Sequence, residues 1–151
     1  MQEKLTITGR IVAKLFDKDG VLKDAREIKN LVVTAGKNYL ATWLAAASQG
    51  GEFMSYIALG TGTNSPTSGD TALQTEFSGG GYSRVQGTLT NSTNVWQNVA
   101  SFGPGNGTGA VTEAGLFSAS SSGTMFARQT FSVINKAAGD TLQITWQVTF
   151  S

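Results

Sequence analysis

"TLQITWQVTF", residues 141–150, alternates without a break. Leu142, Ile144, Trp146, Val148 and Phe150 fall on one side, and Thr141, Gln143, Thr145, Gln147 and Thr149 on the other. A period of two over that length marks a strand with one buried and one wet face. The wet face carries hydroxyls and amides and no charge. Working outward, "MSYIALG" (54–60), "YSRVQGTLT" (82–90), "NVWQNVASF" (94–102), "AVTEAGLFS" (110–118) and "TMFARQTFS" (124–132) also read as strands. The separators "NST", "GPGNGTG", "SASSSG" and "NKAAGD" are turn chemistry.

The N-terminal part repeats the pattern with charges added. Leu5, Ile7, Ile11, Ala13 and Leu15 alternate with Thr6, Thr8, Arg10 and Lys14. "DKDG" (17–20) turns the chain and "VLKDAREIKNLVV" (21–33) returns as the partner strand. A calcium loop begun at Asp17 needs Gly at 22 and Glu at 28, where Leu22 and Ile28 stand. Thr34 then offers an N-cap for a helix over 35–48, with Tyr39, Leu40, Trp43, Leu44 and Ala47 on one stripe facing the core. "QGG" (49–51) ends it, and Asp70 is read as capping a short helical turn at 71–77. The expected fold is mainly β: an antiparallel sandwich or jelly-roll-like barrel of about eight strands with one packed helix. It is a single domain overall, in which residues 1–33 form a charged hairpin region and 34–151 a β-rich body.

Composition narrows the function. Charged residues are 14% of the chain, against about 25% in ordinary globular proteins. A polar, nearly uncharged surface suits broad contact with a neighbour, because a buried charge needs a partner. Residues 1–37 hold eight of the eleven Lys/Arg, while net charge is only +1. That balance gives no case for nucleic acid or membrane as partners. The absence of Cys and His removes thiol nucleophiles, imidazole bases and nearly all transition-metal sites. No signal peptide opens the sequence, and no apolar run approaches the ~18 residues of a membrane span.

Two Gly-rich stretches test for nucleotide binding. "IALGTG" (57–62) lacks the Lys-Ser/Thr of a phosphate loop and the third small residue of a dinucleotide fingerprint. "GNGTGA" (105–110) fits the looser form, but a strand follows it, so no helix N-terminus faces a phosphate. Both are read as loops, and the glycines of an exposed excursion over 61–70, Gly62 among them, as permitting unusual backbone angles. Glu113, set among apolar residues in "AVTEAGLF", needs a cation, and Arg84 and Arg128 are the body's two arginines. A structural ion pair of Glu113 with Arg128 or Arg84 is the expectation. No catalytic residue, metal site or cofactor is assigned.

Taken in order, "NLVVTAGKNYLATWLA", "YIALGTGTNSPTSGDTAL", "VTEAGLF", "TMFARQTF" and "LQITWQVTF" resemble blocks of small virion structural proteins of tailed bacteriophages and prophages. The resemblance spans about residues 5–150. It implies a non-enzymatic β-rich component, made in the bacterial host cytoplasm and carried on the virion. That component is either a decoration (cement) protein on the capsid exterior or a tail-associated collar or fibre-like piece. Carried over, Gly60 and Gly62 belong to the loop block, Glu113 and Gly115 to "TEAGLF", Arg128 to "FAR" and Trp146 to the last strand. By analogy the partners are copies of the chain, a trimer preferred, and the phage major capsid protein. Trp96, Phe117, Phe126, Phe131 and Trp146 are assigned to the core and subunit interface. Arg10, Lys14, Lys18, Lys23 and Arg26 of the hairpin are assigned to capsid contact. A second class, a carbohydrate- or host-surface-binding module, requires an exposed Trp43 or Trp96. A third, a hydrolase with two carboxylates, requires two acids in one cleft at about 5–10 Å.

Overall fold

The computed structural model describes residues 4–45 and 53–151. Strand β1 (Ile7–Phe16) turns through Asp17–Gly20 into β2 (Leu22–Val32), and helix α1 (Thr34–Ala45) follows. The remainder is β3 (Tyr56–Gly60), β4 (Val85–Gln86), β5 (Thr88–Ser92), β6 (Val95–Phe102), β7 (Gly109–Phe117), β8 (Met125–Lys136) and β9 (Thr141–Phe150). All nine strands pair antiparallel in the order β4-β3-β7-β8-β2-β1-β9-β6-β5. The two edge strands, β4 and β5, are separated only by Gly87, so the chain passes there from one edge of the sheet to the other. Over the described residues the result is a nearly closed antiparallel barrel with one helix.

Closure depends on Gly87. Its N–H donates to Ser55 C=O at 2.8 Å, and a Cβ on it would stand 1.7 Å from Asn98 Oδ1. Only glycine lets the strand bend this tightly over its neighbour. The segment expected as one strand over 82–90 is therefore two, broken at this point.

The alternation read in the sequence sets what fills the barrel. Ile11, Ala13, Leu15, Leu142, Ile144, Trp146, Val148, Ala100 and Phe102 are buried on the inner face, joined by Ile57, Leu59, Val111, Leu116 and Ile134. Trp146 is 0% exposed. The N-terminal hairpin is integral to this wall. β1 pairs along its whole length with β9, and β2 meets β8 at Leu31 and Val32. Beyond that point Arg26 spans the gap, its guanidinium donating to the carbonyls of Ser132 and Val133.

Two elements differ from expectation. The helix starts at Thr34 itself, with Val33 C=O accepting from Lys37 N–H; its expected end at 46–48, Ala47 included, and the "QGG" exit lie outside the described residues. Of its stripe, Tyr39, Leu40 and Trp43 are half-buried and Leu44 is exposed, so it caps the barrel rather than entering it. Residues 71–77 form no helix. Asp70 instead accepts from Thr67 N–H and Oγ1 and from Arg128, and Glu76 bridges to Gly60.

Candidate functional site

The loop 61–77 wraps a buried carboxylate. Glu113, on β7, is 0% exposed and accepts three backbone N–H groups, from Gly62 (3.0 Å), Thr75 (2.7 Å) and Gln74 (3.1 Å). Arg128, one strand over on β8 and 1% exposed, donates Nε to Glu113 Oε2 at 3.0 Å. Its remaining nitrogens reach Asp70 Oδ2 at 2.8 Å and Asn64 Oδ1 at 2.6 Å. Gln74 Oε1 takes the N–H groups of Thr63 and Asn64, and Thr112 Oγ1 donates to Gly62 C=O. Two strands thus hold the two halves of a long loop through one ion pair. Burial works to raise the pKa of Asp70, but the two Thr67 hydrogen bonds and the Arg128 guanidinium outweigh it and hold it below its ordinary value.

This geometry explains the glycines of "IALGTG" and corrects the backbone-angle reading of Gly62. Neither Gly60 nor Gly62 has positive φ. A Cβ at Gly62 would lie 2.5 Å from Glu113 Oε1 and 2.6 Å from Gln74 Cβ; one at Gly60 would lie 2.3 Å from Thr75 C=O and 2.6 Å from Glu113 Oε1. Close approach, not backbone angle, demands glycine here. The loop does cradle an anion, and the anion is the chain's own carboxylate.

Arg84 does not share in that pair. It holds Glu76 with two hydrogen bonds of 2.8 Å, donates to the carbonyls of Ala119 and Ser122, and stacks 3.7 Å over the Phe117 ring. Glu76 lies in the stretch 71–77, whose helical composition hides it as a partner for an arginine. Tyr82 completes the station, donating to Glu76 and accepting Leu59 N–H, and burial pushes its pKa up. A third ion pair ties Asp140 to Lys23 at 2.8 Å. The Lys23 hydrogen bond, then that of Ala137 N–H, lowers the Asp140 pKa, while burial lowers that of neighbouring Lys136, which donates to Gly103 C=O.

At the mouth of the barrel α1 leaves a cleft of about 370 Å³. Tyr39, Leu40 and Trp43 face Leu89, Trp96, Phe126, Val148 and Phe150 across it. Thr90 and Asn91, the Tyr39 hydroxyl and the indole N–H groups of Trp43 and Trp96 are the polar groups that its described lining side chains carry. Such a space accepts apolar side chains or ligands; it offers little to orient a polar substrate.

The remaining residues singled out from the sequence divide by face. Phe117 and Trp146 are shut inside the chain, and Phe126, buried in the core, reaches the cleft with one edge. Trp96 and Phe131 are half-buried. Of the hairpin cations, Arg26 points inward to β8 and Asp24, whereas Arg10 pairs with Glu27, Lys18 with Asp19 and Lys23 with Asp140. Lys14 is exposed on the outer face. There Gln147 donates to Gln97 at 2.6 Å and accepts from Arg10, which donates onward to Glu27, giving a side-chain ladder across four strands. Among the described residues no cluster of Asp and Glu could hold a metal ion, and no helix is long and apolar enough to cross a membrane. Comparison with protein-family models, curated proteins and solved structures found no match.

Proposed function

We propose that the protein is a non-enzymatic structural component of a bacteriophage virion, a capsid decoration (cement) protein that associates with copies of itself and stabilises the shell. The observation that carries this reading is the outer wall of β9, β6 and β5, broad, hydroxyl- and amide-rich and free of charge. A wall of this kind meets another surface without stranding a charge. The buried ions support it from the other side. Glu113, Arg128, Asp70, Arg84 and Glu76 are engaged in holding loops to strands, which serves persistence rather than turnover. A tail collar or fibre-associated role uses the same features.

A second reading, binding of carbohydrate or a host surface, is favoured by one observation: Trp43 and Trp96 both line the cleft. Stacked sugars also need several hydrogen-bonding partners, and the described lining is mostly apolar. Mixing purified protein with shells assembled without it decides between the two. Saturable co-sedimentation and a higher shell melting temperature support decoration; no association with shells, together with glycan-dependent quenching of tryptophan fluorescence, supports the second.

A further inference from the structure

We propose that the outer face of β1, β9, β6 and β5 is where one copy of the chain docks on a second copy. This deepens the self-association in the reading above and rests on that part of it alone. Pairing register sets the face out in rows. Val12, Thr145, Val99 and Thr88 form one row across four strands, and Arg10, Gln147, Gln97 and Thr90 form the next. The hydrogen-bonded ladder fixes the Gln and Arg side chains of the second row in place, so little rotamer freedom remains to be lost on docking.

Size and charge both point to a copy of the same chain. The four strands, about 4.8 Å apart and about eight residues long on average, project roughly 500 Å², and the flanking outer face of β2 brings this to roughly 600 Å², against the ~800 Å² per partner of a standard stable interface. Charge is confined to one rim, where Arg10, Lys14, Glu27 and Lys29 stand on β1 and β2. The opposite rim, β5, presents Thr88, Thr90 and Ser92. A two-fold axis lying in the face along β9 turns the second copy over and exchanges its rims. Each charged rim then lies above the other copy's hydroxyl rim, and no two like charges meet. Along β9 the meeting side chains are uncharged in both copies, and Arg10 beside them carries its own partner, Glu27.

Sedimentation of the full chain over a range of concentrations tests this, with Thr145→Arg at the centre, Thr88→Arg at the exposed rim, and Ser65→Arg in the exposed loop as an equal-charge control. Circular dichroism checks that each variant is folded. The expected result is concentration-dependent association of the wild type, weakened about ten-fold or more by Thr145→Arg, weakened by Thr88→Arg, and unchanged in Ser65→Arg. A wild type that stays monomeric overturns both the interface and self-association. A wild type that associates while both folded face variants associate equally well overturns the face alone. Neither outcome touches the virion assignment, which particle binding tests separately.

Discussion

Replacing Glu113 by Gln removes one charge and turns an acceptor into a donor at the centre of the loop clasp. The carboxylate is 0% exposed and Arg128 1%, so water cannot take over the lost contacts. Breaking a fully buried pair costs about 3–5 kcal/mol. Arg128 retains Asp70 and Asn64, which places the cost near the lower end, about 3 kcal/mol. For a chain of this size that lowers Tm by roughly 6–12 °C. Calorimetry reads the shift, and amide hydrogen exchange reads its location: Gly62, Gln74 and Thr75 lose protection before the β1–β9 pair does. A Tm within about 2 °C of wild type, with protection of those three amides intact, refutes the claim that this carboxylate holds the loop.

The contact explanation for Gly62 predicts coupling. Gly62→Ala alone costs about 1–3 kcal/mol, and the cost shrinks in a Glu113→Ala background, whereas a backbone-angle penalty persists there unchanged; denaturant melts of the four proteins read the difference. Gly87→Ala forces a Cβ against Asn98 Oδ1 at the closure of the barrel and lowers stability by about 1–3 kcal/mol, with β4 and β5 amides exchanging first. Arg84→Lys keeps the charge but loses the fork that meets Glu76 and two carbonyls, and costs about 1.5–3 kcal/mol in the same melts. Asp70 and Asp140 have folded pKa values below the ordinary 3.8, so their contribution is complete above that value and is lost as pH falls through the folded pKa. Urea midpoints measured from pH 6 down to pH 2 therefore fall at the acid end, and Asp70→Asn flattens that limb; an unchanged limb counts against the pairing with Arg128.

The strands were legible where one face is apolar and the other is not. The β9 alternation holds from Thr141 to Val148, with Phe150 half-buried at its end, and the hairpin turn at Asp17–Gly20 forms where the sequence put it. Legibility failed where a tertiary contact overrides local preference. "TALQTEF" has helical composition, but its backbone N–H groups at Gln74 and Thr75 are taken by Glu113, which stands 39 and 38 residues away. Gly87 looks like any glycine inside a strand until the barrel closes over it. In the clasp, the Glu113–Arg128 pair was readable from charge scarcity, because a buried acid had two arginines to choose between. Asp70, Asn64 and Gln74 were not, since a polar loop gives no sign of which of its side chains turn inward. Phe117, Phe126 and Trp146 were legible as core, because each is apolar on the inward side of its strand.

The most direct test of the account is an image of phage particles purified from cells that make this chain, at a resolution that places a barrel of this size. The account predicts density for the barrel on the outside of the shell, in fixed ratio to the capsid subunit, with the uncharged β9 wall covered by a neighbouring surface. Particles that are complete without the chain, or barrels whose β9 wall faces open solvent, contradict it.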